Sequence, residues 1–187
     1  DIVEERMKNQ DTEKYFYDKF YKGNYEYNGF CYKYGIDNIY MKDKEYPNNN
    51  FYKLPDFIKY TPDYMVYDKN GKHYLLEVKG FCDNLHLKKK QYLAYQEWND
   101  KHCKVNFFLK DWSEKNKGVN EIYISLNAIR LMLEQARENI LGNGKEYFYP
   151  VGNYLPKPND PPCYKLPFKD ILKFKEKLWS VINVKKK

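Results

Sequence analysis

Three residues of this 187-residue chain stand out for the chemistry they could do together: Asp63, Glu77 and Lys79. Asp63 follows Pro62 at the head of a short apolar run, residues 64–67. Glu77 and Lys79 close a second run, residues 74–79, which Gly80 ends. Charged groups at the end of an apolar strand are costly to bury unless something pairs them. A divalent cation is the natural partner for two carboxylates. Magnesium prefers hard oxygen ligands and keeps several waters, so one or two carboxylates suffice. Such an ion lowers the pKa of a bound water and neutralises charge building on a phosphate. Lys79 lies two residues beyond Glu77 and so on the same face of a strand. There its ammonium can orient an attacking water or stabilise a pentavalent phosphate. The implied chemistry is metal-assisted hydrolysis of a phosphodiester.

The turn between the two runs tests this grouping. Residues 68–72, Asp-Lys-Asn-Gly-Lys, carry a hairpin signal. With a three-residue loop, Lys69, Asn70 and Gly71, Asp68 pairs with Lys72, and counting outward sets Asp63 opposite Glu77. Opposed residues of an antiparallel pair share a face, with Cβ atoms roughly 5 Å apart. Gly71 then takes the left-handed position of that loop type. A two-residue loop, Asn70 and Gly71, would turn Asp63 away from Glu77. The grouping therefore requires the longer loop.

These residues resemble the PD-(D/E)XK superfamily, the restriction-endonuclease-like nucleases: Pro62-Asp63, then Glu77-Val78-Lys79. Residues 91–95, from Gln91 to Tyr95, are similar to the Q-x-x-x-Y motif of RecB-like nucleases in that superfamily. The resemblance covers residues 60 to 109 and implies an α/β fold, a restriction-endonuclease-like mixed β-sheet core flanked by helices. It implies that Asp63, Glu77 and the main-chain carbonyl of Val78 bind Mg2+ or Mn2+, and that Lys79 is the catalytic lysine. Many members add a glutamate from the first helix; Glu13 is the candidate, with Glu4 and Glu5 as rivals. Gln91 and the run Lys88, Lys89 and Lys90 are candidate nucleic-acid contacts. A solvated helix face would equally account for the lysines, and core packing for Tyr95. DNA is the expected substrate, cut in phage-like recombination, repair or processing of junctions and broken ends. The alternatives are an RNA endonuclease of the same fold and a non-catalytic nucleic-acid-binding protein that retains it. Cutting both strands would favour a homodimer.

Several elements must position these residues. A helix is expected over Asp11 to Tyr21, capped by Asp11 or Thr12, with Glu13, Phe16, Tyr17 and Phe20 on one face. Residues 23–50 read as short strands and loops with a turn at 47–50. A second Pro-Asp pair, Pro55-Asp56, leads into another proline rather than a hairpin, which favours Asp63. After the hairpin, a helix capped by Asp83 or Asn84 is expected to run to about His102. Strands follow at 105–109 and 121–126, separated by a polar loop. Asn127 is the expected cap of an amphipathic helix carrying Ile129, Leu133, Ala136 and Ile140, with Glu134, Gln135 and Glu138 on its polar side and Gly142 as its stop. Residues 149–167 are proline-rich and read as an extended arm; residues 168–181 read as a closing helix. The expected division is a core over 1–144 and an arm with its helix over 145–187, packed on the same domain.

Composition sets looser bounds. Hydrophobic residues are 42% and charged residues 32%, which suits a folded chain. A net charge of +7 favours a polyanionic partner, although a lysine-rich surface gives the same number. Cys31, Cys82, Cys103 and Cys163 lack C-x-x-C spacing, which argues against a zinc ribbon. His73, His86 and His102 lack metal-ligand spacing and read as surface residues. Trp98, Trp112 and Trp179 read as packing residues. No apolar run is long enough to span a membrane, and no leader pattern is visible, so no membrane partner is expected and the cytoplasm of a bacterium or host is the expected location. The 21 tyrosines read mostly as core and codon bias, with some able to stack on bases.

Overall fold

The computed structural model describes residues 11–21, 30–35, 53–67, 70–113, 118–134, 137–141, 144–148 and 163–175. The first helix, α1, covers residues 11–16 and widens into a π-helical turn at Tyr17–Tyr21. Asp11 is already helical. Thr12 is buried, and its hydroxyl accepts a hydrogen bond from Trp112 Nε1 at 2.7 Å. Strand β1 is Phe30–Lys33 and the short helix α2 is Asp56–Lys59. The hairpin follows as β2 (Tyr64–Tyr67) and β3 (His73–Phe81). Tyr67 lies opposite His73 and Tyr64 opposite Leu76. This is the register that a three-residue loop requires, and Gly71 takes a φ of 75°, open to glycine without steric cost.

Strand β4 (Asn84–Lys88) precedes helix α3 (Lys89–Lys101), which crosses over to β5 (Val105–Asp111). Strand β6 (Glu121–Ser125) leads directly into helix α4 (Leu126–Leu133). The main sheet has five strands in the order β1-β2-β3-β5-β6. Its β3–β5 pair is parallel and the other pairs are antiparallel. Parallel neighbours need a crossover, and α3 supplies it. Strand β3 buries Leu75 and Phe81 on one face and Leu76 and Val78 on the other, as expected of a central strand covered on both sides. One face packs against Phe16 of α1, together with Tyr64, Val66 and Phe108. The other packs under Tyr95 of α3 and Ile129, Met132 and Leu133 of α4.

A polar cluster fixes α1 to the sheet. Tyr15 OH donates to Glu121 Oε2 at 2.7 Å, and Lys19 pairs with the same carboxylate. Lys110, buried on β5, lies 3.6 Å from Glu121 Oε2 and its ammonium stands 4.2 Å from the centre of the Tyr15 ring.

Three expectations are corrected. Residues 84–88 are a strand and not the start of a helix, because Leu85 and Leu87 are buried while His86 and Lys88 are not, a period of two. Helix α4 is capped by Ser125, whose hydroxyl accepts from the Ala128 amide at 3.2 Å, not by Asn127. It ends at Leu133, with Glu134 as its C-cap, and Ile140 and Glu138 fall in strand β7 (Arg137–Leu141), paired with β8 (Gly144–Phe148). Leu141 lies opposite Gly144, while Gly142, read as the helix stop, lies outside the described residues. Within the proline-rich stretch, β9 (Cys163–Pro167) is a strand between β4 and β8 in a second, four-stranded sheet, β4-β9-β8-β7. Helix α5, residues 168–175, closes the described chain. The expectations for 36–50, Ala136, 149–162 and Trp179 lie outside the described residues. Among the described residues no helix is long and apolar enough to cross a membrane.

Candidate active site

Continuing the hairpin register by one residue past Tyr64 and Leu76 sets Asp63 opposite Glu77. Asp63 Oδ2 accepts the Val78 N–H at 2.8 Å. On β3 the odd residues turn their main-chain groups toward β5, as the Leu75 N–H donating to Lys104 O at 2.8 Å shows. The N–H and C=O of Val78 therefore face the β2 side, where Asp63 stands. The residue opposite Val78 is Pro62, which has no N–H to give that carbonyl. The proline of Pro62-Asp63 thus leaves a main-chain acceptor beside two carboxylates.

Glu77 is 2% exposed. Its Oε1 receives Lys79 Nζ at 2.7 Å and Gln91 Nε2 at 3.4 Å. Its Oε2 is buried with no hydrogen-bond partner. A buried carboxyl oxygen left without a hydrogen-bond partner is costly unless some other group reaches it. Burial works against the charge on Lys79, but Glu77, Asp63 and then Glu13 outweigh it and hold the ammonium above the ordinary lysine range. Glu13 of α1 is thus within electrostatic reach of the cluster; Glu4 and Glu5 lie outside the described residues.

Helix α3 lies over this face. Gln91 Nε2 donates to Tyr95 OH at 2.7 Å. Tyr95 is buried in the core, as its packing reading expected, with its ring against Phe107. Burial first, and then the charges of Glu77 and Asp63, push its phenol well above the usual tyrosine range, so it stays protonated beside the carboxylates. The Gln91 amide is turned inward to Glu77 and Tyr95. Lys88 is the last residue of β4, and Lys89 and Lys90 open α3; Lys90 is solvent-exposed and its ion pair is with Asp56, at 3.8 Å. Asp56 also holds Lys59 at 2.7 Å as the first residue of α2, so the second Pro-Asp pair is a helix start.

Two residues of the site carry no sequence signal for it. The amides of Tyr34 and Gly35 both donate to the Asp63 carbonyl, at 2.8 and 3.0 Å. A Cβ on Gly35 would stand 3.0 Å from Pro62 O and 3.1 Å from Asp63 Cα. The end of β1 therefore clamps the backbone of Asp63, and a side chain at position 35 would require that backbone to give by a few tenths of an ångström.

Among the described residues no group of three or more His, Cys, Asp or Glu side chains gathers as a metal cage. The donors present are the Asp63 and Glu77 carboxylates and the Val78 carbonyl. All are hard oxygens, one of them, Glu77 Oε2, buried without a hydrogen-bond partner, and such a set fits Mg2+ or Mn2+ better than a soft metal. Comparison with protein families, with characterised proteins and with solved structures finds no match to this chain.

Proposed function

We propose that this chain is a metal-dependent nuclease with a restriction-endonuclease-like core that hydrolyses phosphodiester bonds of DNA. The observation that carries the reading is the buried, partnerless Oε2 of Glu77, set opposite Asp63 with Lys79 against the same carboxylate. The element order lends support: an initial helix, an antiparallel hairpin, a helical crossover and a parallel strand give the mixed sheet that the resemblance implies.

Asp63, Glu77 and the Val78 carbonyl would hold a Mg2+ or Mn2+ ion. When bound, the ion would lower the pKa of a coordinated water and offset charge on the phosphate. Lys79 brings a fixed ammonium to the same face, where it orients the incoming water and stabilises the oxygens of the transition state. Tyr95 and Gln91 hold Glu77 from above, and Glu13 adds negative charge from α1. Water oxygen bonds to phosphorus, the bond to the leaving oxygen breaks, and that oxygen departs with a proton. Junctions and broken ends are the DNA substrates the resemblance favours.

The test is cleavage of labelled single-stranded, duplex and four-way-junction DNA, with matched RNA, in Mg2+, Mn2+ or EDTA. Cutting should vanish in EDTA and fall by about 100-fold or more in both Asp63→Ala and Lys79→Ala. If wild type and variants bind nucleic acid alike and none cuts, the chain is a binding protein and this reading is wrong.

A further inference from the structure

The sheet face that carries Glu77 continues past the cover of α3 as a row of partly exposed aromatic rings. Tyr32 pairs with Met65, which pairs with Leu75, so all three share the face of Glu77. Tyr34 donates its amide to the Asp63 carbonyl, and its ring meets Trp98 of α3 edge to face at 6.0 Å. It therefore stands directly beside Asp63 on that same face. Tyr32 is 52% exposed and Tyr34 is 42% exposed. Tyr67 extends the row, 6.2 Å from Tyr32 and 5.7 Å from His73 between ring centres.

Large aromatic surface left in water beside a charged site calls for an occupant. The row begins at the Asp63–Glu77 pair and steps away along the strands, about 7 Å for every second residue. That matches a flexible polymer whose flat groups follow one another at similar intervals. A duplex hides the flat faces of its bases and offers only phosphates and edges to a protein. An unpaired strand offers every face, and stacking on tyrosine tolerates any base. Charge is complementary: Lys79 stands beside Glu77 at one end of the row, and the chain carries +7. We infer that the strand entering the site is unpaired, and that its bases next to the scissile phosphate stack on Tyr34 and Tyr32. The inference rests on the nuclease reading of the Asp63–Glu77 site and names its substrate class.

The experiment measures binding and cutting separately. In EDTA, fluorescence anisotropy follows labelled oligothymidylate, oligouridylate and a matched DNA duplex. Proteins compared are wild type, the double variant Tyr32→Ala/Tyr34→Ala and the double variant Tyr32→Phe/Tyr34→Phe, with thermal melts as a check on folding. Wild type should bind the single strands more tightly than the duplex. The alanine pair should lose about tenfold or more in single-strand affinity with duplex affinity unchanged, and the phenylalanine pair should keep it. The two single strands tell whether DNA or RNA is held, because both present the same stacking faces. Equal losses on single strand and duplex, or no loss, overturn the inference. Cutting in Mg2+ then separates the two claims. Activity that needs Asp63 but ignores the tyrosines removes the stacking inference alone, whereas activity indifferent to Asp63 removes the nuclease reading and the inference with it.

Discussion

Gly35 has no side chain, and that absence lets the end of β1 close on Asp63. Its neighbours are backbone atoms of Pro62 and Asp63, which cannot swing aside as a flexible side chain would. Gly35→Ala should therefore push the Asp63 backbone outward while the distant core stays intact. A ligand displaced by even 1 Å can cost on the order of 100-fold in rate. Cleavage kinetics of Gly35→Ala should show a loss of that order, with a far-ultraviolet spectrum like that of wild type; full activity would show that the clamp does not matter. Asp63, Glu77 and Lys79 were legible because a strand repeats every two residues and the turn fixes the register. Gln91 and Tyr95 were legible as a pair four apart on a helix, though the inward turn of Gln91 was not. Tyr34 and Gly35 were not legible, because their tie to Asp63 is a pairing across 28 or more positions that no local pattern encodes.

At the scale of elements, the central hairpin, the crossover and β6 could be read, and the second sheet could not. Residues 84–88 sit between a strand and a genuine helix, and their alternation of two leucines is too short to stand out until β9 is known to lie beside them. Residues 137–141 continue the spacing of α4 but are claimed by pairing with β8. In both places tertiary pairing overrides a local pattern. The attachment of α1 gives a test with a sign. Burial alone would raise the carboxyl pKa of Glu121, but hydrogen bonds from Lys19 and Tyr15, with Lys110 nearby, outweigh it and lower the pKa. A carboxyl with a lowered folded-state pKa adds stability that is full above its unfolded value and is lost as pH falls through the folded one. Glu121→Gln should therefore unfold at lower urea than wild type at neutral pH. The gap should start to close as the pH drops past the ordinary glutamate range, about 4 to 4.5. A gap that is independent of pH would mean that the carboxylate charge is not what holds α1.

For the whole molecule, the α/β class followed from the order of elements, while the role of the C-terminal segment did not. Its prolines suggested an arm, with a closing helix packed on the same domain, but not strand β9; Leu166, Phe168 and Ile171 are fully buried and belong to one cluster with Leu75, Tyr95 and Phe107. Residues 163–175 thus complete the core beneath the site. A chain ending before Cys163 would expose Leu85, Leu87 and Phe81, side chains worth about 1.5–3 kcal/mol each when fully buried. That is a large share of the stability of a typical domain. The truncated chain should show no cooperative thermal transition; a sharp transition near that of the full chain would mean that the core is complete without the segment.

The partnerless oxygen of Glu77 also makes the fold a reporter of its own ligand. A cation that binds only the folded state raises unfolding free energy by about 2.7 kcal/mol at a hundredfold excess over its Kd. Melting temperature should therefore climb with Mg2+ or Mn2+ concentration even when no nucleic acid is present. Glu77→Gln, which removes the buried charge, should melt at a temperature that no longer answers to the ion. The same carboxylate is then the part that couples folding to ion binding, and a calorimeter can read that coupling without a single bond being cut.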